Sequence, residues 1–405
     1  MPTIPMLRPA PLTALTLALL AGFAQAEGNP YYLGGSLGVT NDSNVKRARE
    51  GSESSDTITS AGLRAGVDQP LGRGRFLADL SANQNRYSRT SDYDHTNYSL
   101  QGQLDWESLE RLSGTIAANA SQSLYRDTLN ADASRNLLRT SGFSVQARLG
   151  VVTMWTFEGG LAANRKRFSS ASYRYANLDQ HSFNGGLRFA PSPMLSTTLM
   201  LRRTDARYPD YSVTRADDLT RNDLELGMTL RASAASTFDA HLSRTRENHS
   251  VVYQRDYNYW TGSLGWNWKA SGKTSLGLTF SRDSVVGAYG DLGLPVADTT
   301  DARIRNVYSL RGQWEATSKI RLNTTVAYAR RTLDNALTST LTGVSQSSTD
   351  TTTTGNLGLT YQAMRNLELG CSVNWEHRTV SNELSTLTYP YSDTSINCYT
   401  QVFLR

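Results

Sequence analysis

Residues 275–281 read Ser275-Leu276-Gly277-Leu278-Thr279-Phe280-Ser281. Every second side chain is apolar and its neighbours are small or polar. A period of two puts Leu276, Leu278 and Phe280 on one face of an extended strand and the polar set on the other. A helix would scatter the same residues around its axis. The alternation recurs in Leu224, Leu226, Met228 and Leu230 against Glu225, Gly227, Thr229 and Arg231, and in Ile320, Leu322, Thr324 and Val326 against Arg321, Asn323 and Thr325.

Working outward from these stretches, eighteen amphipathic segments cover the chain from residue 31 to its end. They are 31–41, 55–67, 74–87, 96–107, 111–123, 136–149, 152–166, 177–190, 194–206, 219–231, 236–246, 256–269, 273–283, 303–316, 319–331, 351–364, 366–378 and 393–405. Their connections alternate between short (Asp68–Arg73, Pro191–Pro193, Ala232–Ala235, Ala270–Gly272, Thr317–Ser318) and long (Asp42–Ser54, Arg207–Asp218, Ser284–Ala302, Thr332–Asp350). Tight turns at one end and longer loops at the other are the pattern of a transmembrane antiparallel up-and-down β-barrel. An even strand count puts both termini in the periplasm. Pro70, Pro191, Pro193, Pro209, Pro295 and Pro390 are expected in connections, because strands paired on both sides need every backbone N–H.

The alternative is a secreted β-sandwich or β-helix. Tryptophan separates the two. Trp106, Trp155, Trp260, Trp266, Trp268, Trp314 and Trp375 all share the apolar parity, five near expected periplasmic ends and two near external ends. A soluble core would bury Trp anywhere along a strand; two outward belts are membrane girdles.

Composition agrees. Of 405 residues, 39% are hydrophobic and Tyr supplies 20 of the aromatics. The longest apolar run is Ala10–Phe23, too short for the roughly 20 residues of a spanning helix. Two cysteines exclude a disulfide scaffold. The charge of +5 comes from dispersed Lys and Arg, with no basic block of the kind that marks a nucleic-acid partner. Arg8, the apolar run and Ala24-Gln25-Ala26 read as a signal peptide over 1–26, cleaved between Ala26 and Glu27, with the barrel over 27–405.

The polar parity should line the lumen. Its charges are Arg64, Arg148, Arg188, Arg202, Arg231, Arg311 and Arg321 against Asp79, Asp105, Glu158, Glu225, Asp239, Glu315 and Glu368. Such a balanced set either contacts carboxylates and hydroxyls of a passing saccharide or pairs across strands and stiffens the wall. Tyr87, Tyr93, Tyr125, Tyr173, Tyr175, Tyr208, Tyr211, Tyr253 and Tyr257 gather near the outer loops, where interfacial anchoring is the expectation and sugar stacking the alternative. Cys371 and Cys398 share the apolar parity on the last two strands, as a structural disulfide or as two lipid-facing thiols. His181-Ser182 and His249-Ser250 are neighbours in sequence, so each pair faces opposite sides. His249 with Glu247 is the nearest approach to a hydrolytic pair. No catalytic, metal or cofactor motif is present, and the expectation is a non-enzyme without cofactors.

The run Gly34-Gly35-Ser36-Leu37-Gly38-Val39-Thr40 followed by Asn41-Asp42-Ser43-Asn44-Val45-Lys46-Arg47 resembles the first strand and "D-x-N-v" loop of the β-barrel porins encoded with exopolysaccharide biosynthesis genes, the EpsL-like group. The resemblance implies an outer-membrane protein of Gram-negative bacteria that takes part in exopolysaccharide synthesis or export. Its partners would be outer-membrane lipid and lipopolysaccharide, exopolysaccharide, periplasmic export components and the insertion machinery. No catalytic residues come with it. The chain ends Phe403-Leu404-Arg405 where such barrels usually end in an aromatic residue. A general diffusion porin and a non-conducting barrel that presents its loops are the competing readings.

Overall fold

The computed structural model describes residues 30–108, 111–126, 135–150, 153–211, 215–251, 256–284, 302–334, 347–382 and 388–404. The expected signal segment with its Ala26–Glu27 cleavage point lies outside them, as do Pro295, Tyr253 and most of the two longest loops.

Eighteen strands follow in order. The first nine are β1 (Tyr31–Asp42), β2 (Asp56–Leu71), β3 (Gly74–Tyr87), β4 (His95–Glu107), β5 (Leu112–Tyr125), β6 (Asn136–Leu149), β7 (Trp155–Phe168), β8 (Leu178–Ser192) and β9 (Leu195–Tyr208). The second nine are β10 (Asp217–Arg231), β11 (Ser236–His249), β12 (Tyr257–Lys269), β13 (Thr274–Asp283), β14 (Ala302–Glu315), β15 (Ile320–Asp334), β16 (Ser347–Met364), β17 (Leu367–Val380) and β18 (Tyr391–Leu404). Each pairs antiparallel with its neighbours in sequence, and β1 pairs with β18 from Leu33 opposite Leu404 to Asp42 opposite Ser395. The sheet is therefore a closed barrel with no free edge, which is what a sheet in lipid requires.

The outward parity is apolar all round. Leu63, Phe157, Leu201, Leu264 and Trp314 are among more than forty large hydrophobic side chains left exposed, an arrangement that water would not tolerate and lipid rewards. All seven tryptophans keep that parity. Phe238, Trp266 and Trp268 stack near the end of the short turns, and Phe280, Tyr308 and Tyr328 form a row toward the long loops. Trp375 lies across Gly355 on the neighbouring strand, where any Cβ would collide with its ring. The β2–β3 turn is two residues long, and Gly72 takes the φ of +60° that the first central position of a type II′ turn demands. Both termini of the barrel lie at the short-turn, periplasmic end.

Two expectations change. Pro70 and Pro191 lie inside β2 and β8. Pro70 is tolerated because β1 stops pairing at Val67, so its missing N–H serves no ladder. Pro191 sits in the irregular pairing between Phe189 and Ser192. Several strands also run further than expected, β15 to Asp334 and β16 from Ser347, so the connection between them shortens to 335–346. Crossing the apolar layer takes about 9–11 residues. Strands of 14 to 18 residues stand proud of it on the external side.

Candidate functional site

The inner wall changes character along the barrel axis. On β10 the inward residues Asp217, Leu219, Arg221, Asp223 and Glu225 are all buried, whereas Gly227 and Thr229 are half-buried and Arg231 is exposed. The same switch appears on other strands. At the external end, the inward side chains Asp42, Ile58, Leu178, Thr245, Thr261, Val307, Ala329, Asp350, Arg378 and Tyr391 are buried. Toward the periplasm, Arg64, Arg231, Asp239, Arg311, Glu315 and Arg321 are exposed to water.

The residues expected to line the lumen do share the inner face, and most lie in this open periplasmic half. Some pair across strands. Arg64 meets Asp79 at 3.3 Å, Arg148 meets Glu158 at 3.8 Å and Arg202 meets Glu225 at 3.2 Å. Others bond polar neighbours: Asp105 accepts from Thr115 and Gln103, Asp239 from Thr229, and Glu368 from Tyr399. Arg231 donates to the Pro193 carbonyl, and Glu315 stands opposite Arg321. Arg188 lies on the same face opposite Thr156. Gly227 on β10 leaves room on the inner wall between β6 and β11. There a recess of about 240 Å³ opens from the lumen, lined by Arg148, Glu158, Asn184, Arg202, Glu225 and His241. His241 reaches Glu225 at 3.5 Å. Its two guanidinium groups are paired with Glu158 and Glu225, so the recess is a charge-balanced polar surface whose hydroxyl, amide and guanidinium groups suit a sugar edge.

The external end of the inner wall carries three buried ionic clusters. The first is built by the loop after β1. Asp42 and the backbone N–H of Asn44 turn the chain back, and the Asn44 amide donates to the carbonyls of Ala48 and Ser392. Val45 is fully buried against Ile58, Tyr87 and Tyr93. Arg47, at φ 54°, then meets Asp42 at 3.3 Å, Glu376 at 3.1 Å and Asp393 at 2.9 Å, and Arg126 also reaches Asp42. Burial works against the Arg47 charge, but the three carboxylates outweigh it and raise the guanidinium above its ordinary range. A non-glycine residue in the left-handed region is held there by such partners. The D-x-N-v motif thus folds inward at the mouth and is tied to β17 and β18.

In the second cluster Arg221 joins Asp223 at 2.8 Å, Asp283 at 3.0 Å and Glu247 at 3.8 Å, while the hydroxyls of Ser243 and Thr245 donate to Asp223 and that of Ser284 to Glu247. In the third, Asp350 receives Arg331 at 2.8 Å and the Thr388 hydroxyl at 2.9 Å, and Arg378 lies over the Tyr391 ring. His249 is held between Asp217 at 2.7 Å and Glu247 at 3.4 Å, so both ring nitrogens face carboxylates.

These clusters lie outside the lumen set expected from the sequence. Their signal was the inward parity of Arg221, Asp223 and Asp350, continued past the apolar stretch. The tyrosines also change role. Tyr87, Tyr93, Tyr173, Tyr208 and Tyr211 are buried inside the mouth instead of anchoring at the lipid interface, and Tyr125, Phe168 and Tyr173 pack edge to face. Tyr87 and Tyr208 sit on the inward parity of strand ends, and Tyr93, Tyr173 and Tyr211 in the connections just beyond them. Tyr175 joins the same group, and Tyr257 begins β12. Cys371 and Cys398 stand directly opposite on the lipid face and are disulfide-bonded.

No protein-family profile and no curated protein matches the chain. Solved structures that resemble it include Pseudomonas aeruginosa OpdO, with 13% identity over 92% of this chain and 96% of that one and a TM-score of 0.49. Pseudomonas aeruginosa OpdL follows with 11% identity, 93% and 98% coverage and a TM-score of 0.47. The siderophore receptor PirA from Acinetobacter baumannii has 9% identity, 94% and 81% coverage and a TM-score of 0.44. The barrel itself rests on its own ladder of hydrogen bonds.

Proposed function

We propose that the chain is a porin-like barrel of the outer membrane that takes part in exopolysaccharide export or biosynthesis and is gated at its external mouth. One observation carries the reading: a polar, water-exposed vestibule on the periplasmic side ends in a plug of buried ion pairs. A wall of 18 strands is wide enough for an aqueous lumen. A closure made of charges and hydroxyls exchanges partners with water when it opens, whereas an apolar plug would resist wetting. The recess with Arg148 and Arg202 offers a passing saccharide its first polar contacts. The D-x-N-v cap supports the exopolysaccharide assignment, since the stretch that resembles the EpsL-like group is the stretch that builds the gate. Uptake of a small solute would use the same vestibule.

The burial of the external third on most strands, Tyr259 of β12 excepted, favours a second reading, a non-conducting barrel that presents its loops. Single-channel recording separates the two. A gated conduit gives a low resting conductance that rises when Arg47 is replaced by alanine, and acidic oligosaccharide on the periplasmic side then blocks it. An inserted barrel that stays silent in both forms supports the structural reading.

A further inference from the structure

The outer face carries arginines just above its external aromatic row, and they are not distributed evenly. From β7 to β10 they meet acids on the same face. Arg165 and Arg167 bind Asp179 at 2.9 and 2.7 Å, Arg203 binds Asp205 at 3.2 Å and Arg207 approaches Asp218 at 3.7 Å. From β11 to β15 the outward parity carries Arg244, Arg246, Arg282 and Arg330, and no described carboxylate within these strands shares that face; Asp256, just before β12, accepts from the His249 backbone N–H. The residues opposite them are neutral. Arg246 stands between Asn222 and Asn258, Arg282 faces Asn306, and Asn306 faces Arg330. Arg244 lies over the Trp260 ring at 5.6 Å.

Their level is set by the residues beneath them. Two positions further into the membrane on the same face, Phe280 lies below Arg282, Tyr308 below Asn306 and Tyr328 below Arg330, and these form the external girdle, while Leu242 lies below Arg244. Below the girdle lies an apolar depression of about 850 Å³ on the lipid face, lined by Leu264, Leu278, Phe280, Leu310, Val326 and Tyr328 among others. One sector of the wall therefore offers an apolar bed for acyl chains, an aromatic rim, and four guanidinium groups with no carboxylate on their own strands' outer face.

We propose that β11–β15 form a binding site for lipopolysaccharide, with Arg244, Arg246, Arg282 and Arg330 holding the phosphates of its lipid A and the apolar depression taking acyl chains. Guanidinium groups bind phosphate bidentately, and neighbouring ones two strands apart suit a headgroup with more than one phosphate. The external leaflet on this side is where that glycolipid is displayed. The inference rests on the barrel's place in the outer membrane and not on conduction, so a silent barrel leaves it standing.

The test uses the full barrel, delipidated in detergent and titrated with lipopolysaccharide, with lipopolysaccharide stripped of its lipid A phosphates, and with phosphatidylglycerol, bound lipid being counted by native mass spectrometry. Lipopolysaccharide should bind, and the Arg244→Gln, Arg246→Gln, Arg282→Gln, Arg330→Gln variant should bind it at least about tenfold more weakly. The outward but acid-paired Arg165→Gln, Arg203→Gln variant should bind as the parent does. Heat-modifiable electrophoretic mobility reports folding; if the fourfold variant does not fold, the Arg244/Arg246 and Arg282/Arg330 double variants carry the same readout. Equal binding of the dephosphorylated glycolipid, undiminished binding by the variants, or phosphatidylglycerol bound as tightly as lipopolysaccharide would each overturn the assignment.

Discussion

Arg221 and Arg231 sit on one strand, share the inward face and lie ten residues apart, yet one is 2% exposed and the other open to water. The difference is not in the strand. It lies in what covers it: at the external end the inward residues are buried and tied into ion clusters, and at the periplasmic end they border a vestibule. The comparison teaches that one alternating pattern builds two interiors. A buried guanidinium needs its carboxylates, since an unpaired buried charge is expensive, while an exposed one does not.

The sharpest break of that contrast is a pair of substitutions. Arg221→Met leaves Asp223 and Asp283 without their guanidinium and Glu247 with His249 alone, and should cost about 3–5 kcal/mol. Arg231→Met should cost less than about 0.5 kcal/mol. Urea unfolding in lipid vesicles, followed by tryptophan fluorescence, measures both. Equal losses would erase the distinction between the two ends.

Next comes the disulfide, which belongs to neither interior. Cys371 and Cys398 are 27 residues apart in sequence, so removing the link frees a loop of the unfolded chain at a cost of about 3.5 kcal/mol. The ladder between β17 and β18 remains, so a Cys371→Ser, Cys398→Ser barrel should still insert and keep its burial difference. Loss of insertion would show that the bond does more than tether.

Arg47→Ala should loosen the mouth alone. Loss of its ion pairs costs about 2 kcal/mol locally, which is roughly thirtyfold faster amide exchange in residues 43–54, with exchange on the periplasmic half of β10 unchanged. Uniform acceleration over the barrel would mean that the cap is not a separate unit.

The smallest effect on stability and the most specific on transport is expected from Arg188→Glu with Arg231→Glu. Both face the vestibule, and the reversal should shift selectivity toward cations by about two- to fivefold in a barrel whose stability is unaltered. Unchanged reversal potentials in a conducting barrel would place these residues off the ion path.

The barrel was legible because its causes are local. Period-two alternation, tryptophan parity and alternating connection lengths each follow from a strand that faces lipid on one side. Lumen residues such as Arg64 and Glu225 were legible for the same reason. Parity says which face a side chain takes but not what lies across from it. Tyr87 and Tyr208 therefore read as interfacial anchors, and Arg331 and Asp350 did not stand out. Their burial depends on partners distant in sequence, as with Arg47 and Asp393. The D-x-N-v stretch was visible as a resemblance, and its role as a cap needed β17 and β18 in place.

The claim that the lumen is wet toward the periplasm and closed toward the outside is most directly tested by thiol labelling. Thr198→Cys and Thr229→Cys lie on the inner wall of the open half; Thr204→Cys and Thr245→Cys lie on the same wall in the buried third. Each is close to isosteric, and the bonded native pair does not react. With a charged, membrane-impermeant maleimide applied to opened outer-membrane fragments, the first two should label within minutes and the last two only after unfolding. Equal labelling of all four would contradict a closed external mouth, and protection of all four would contradict a water-filled vestibule.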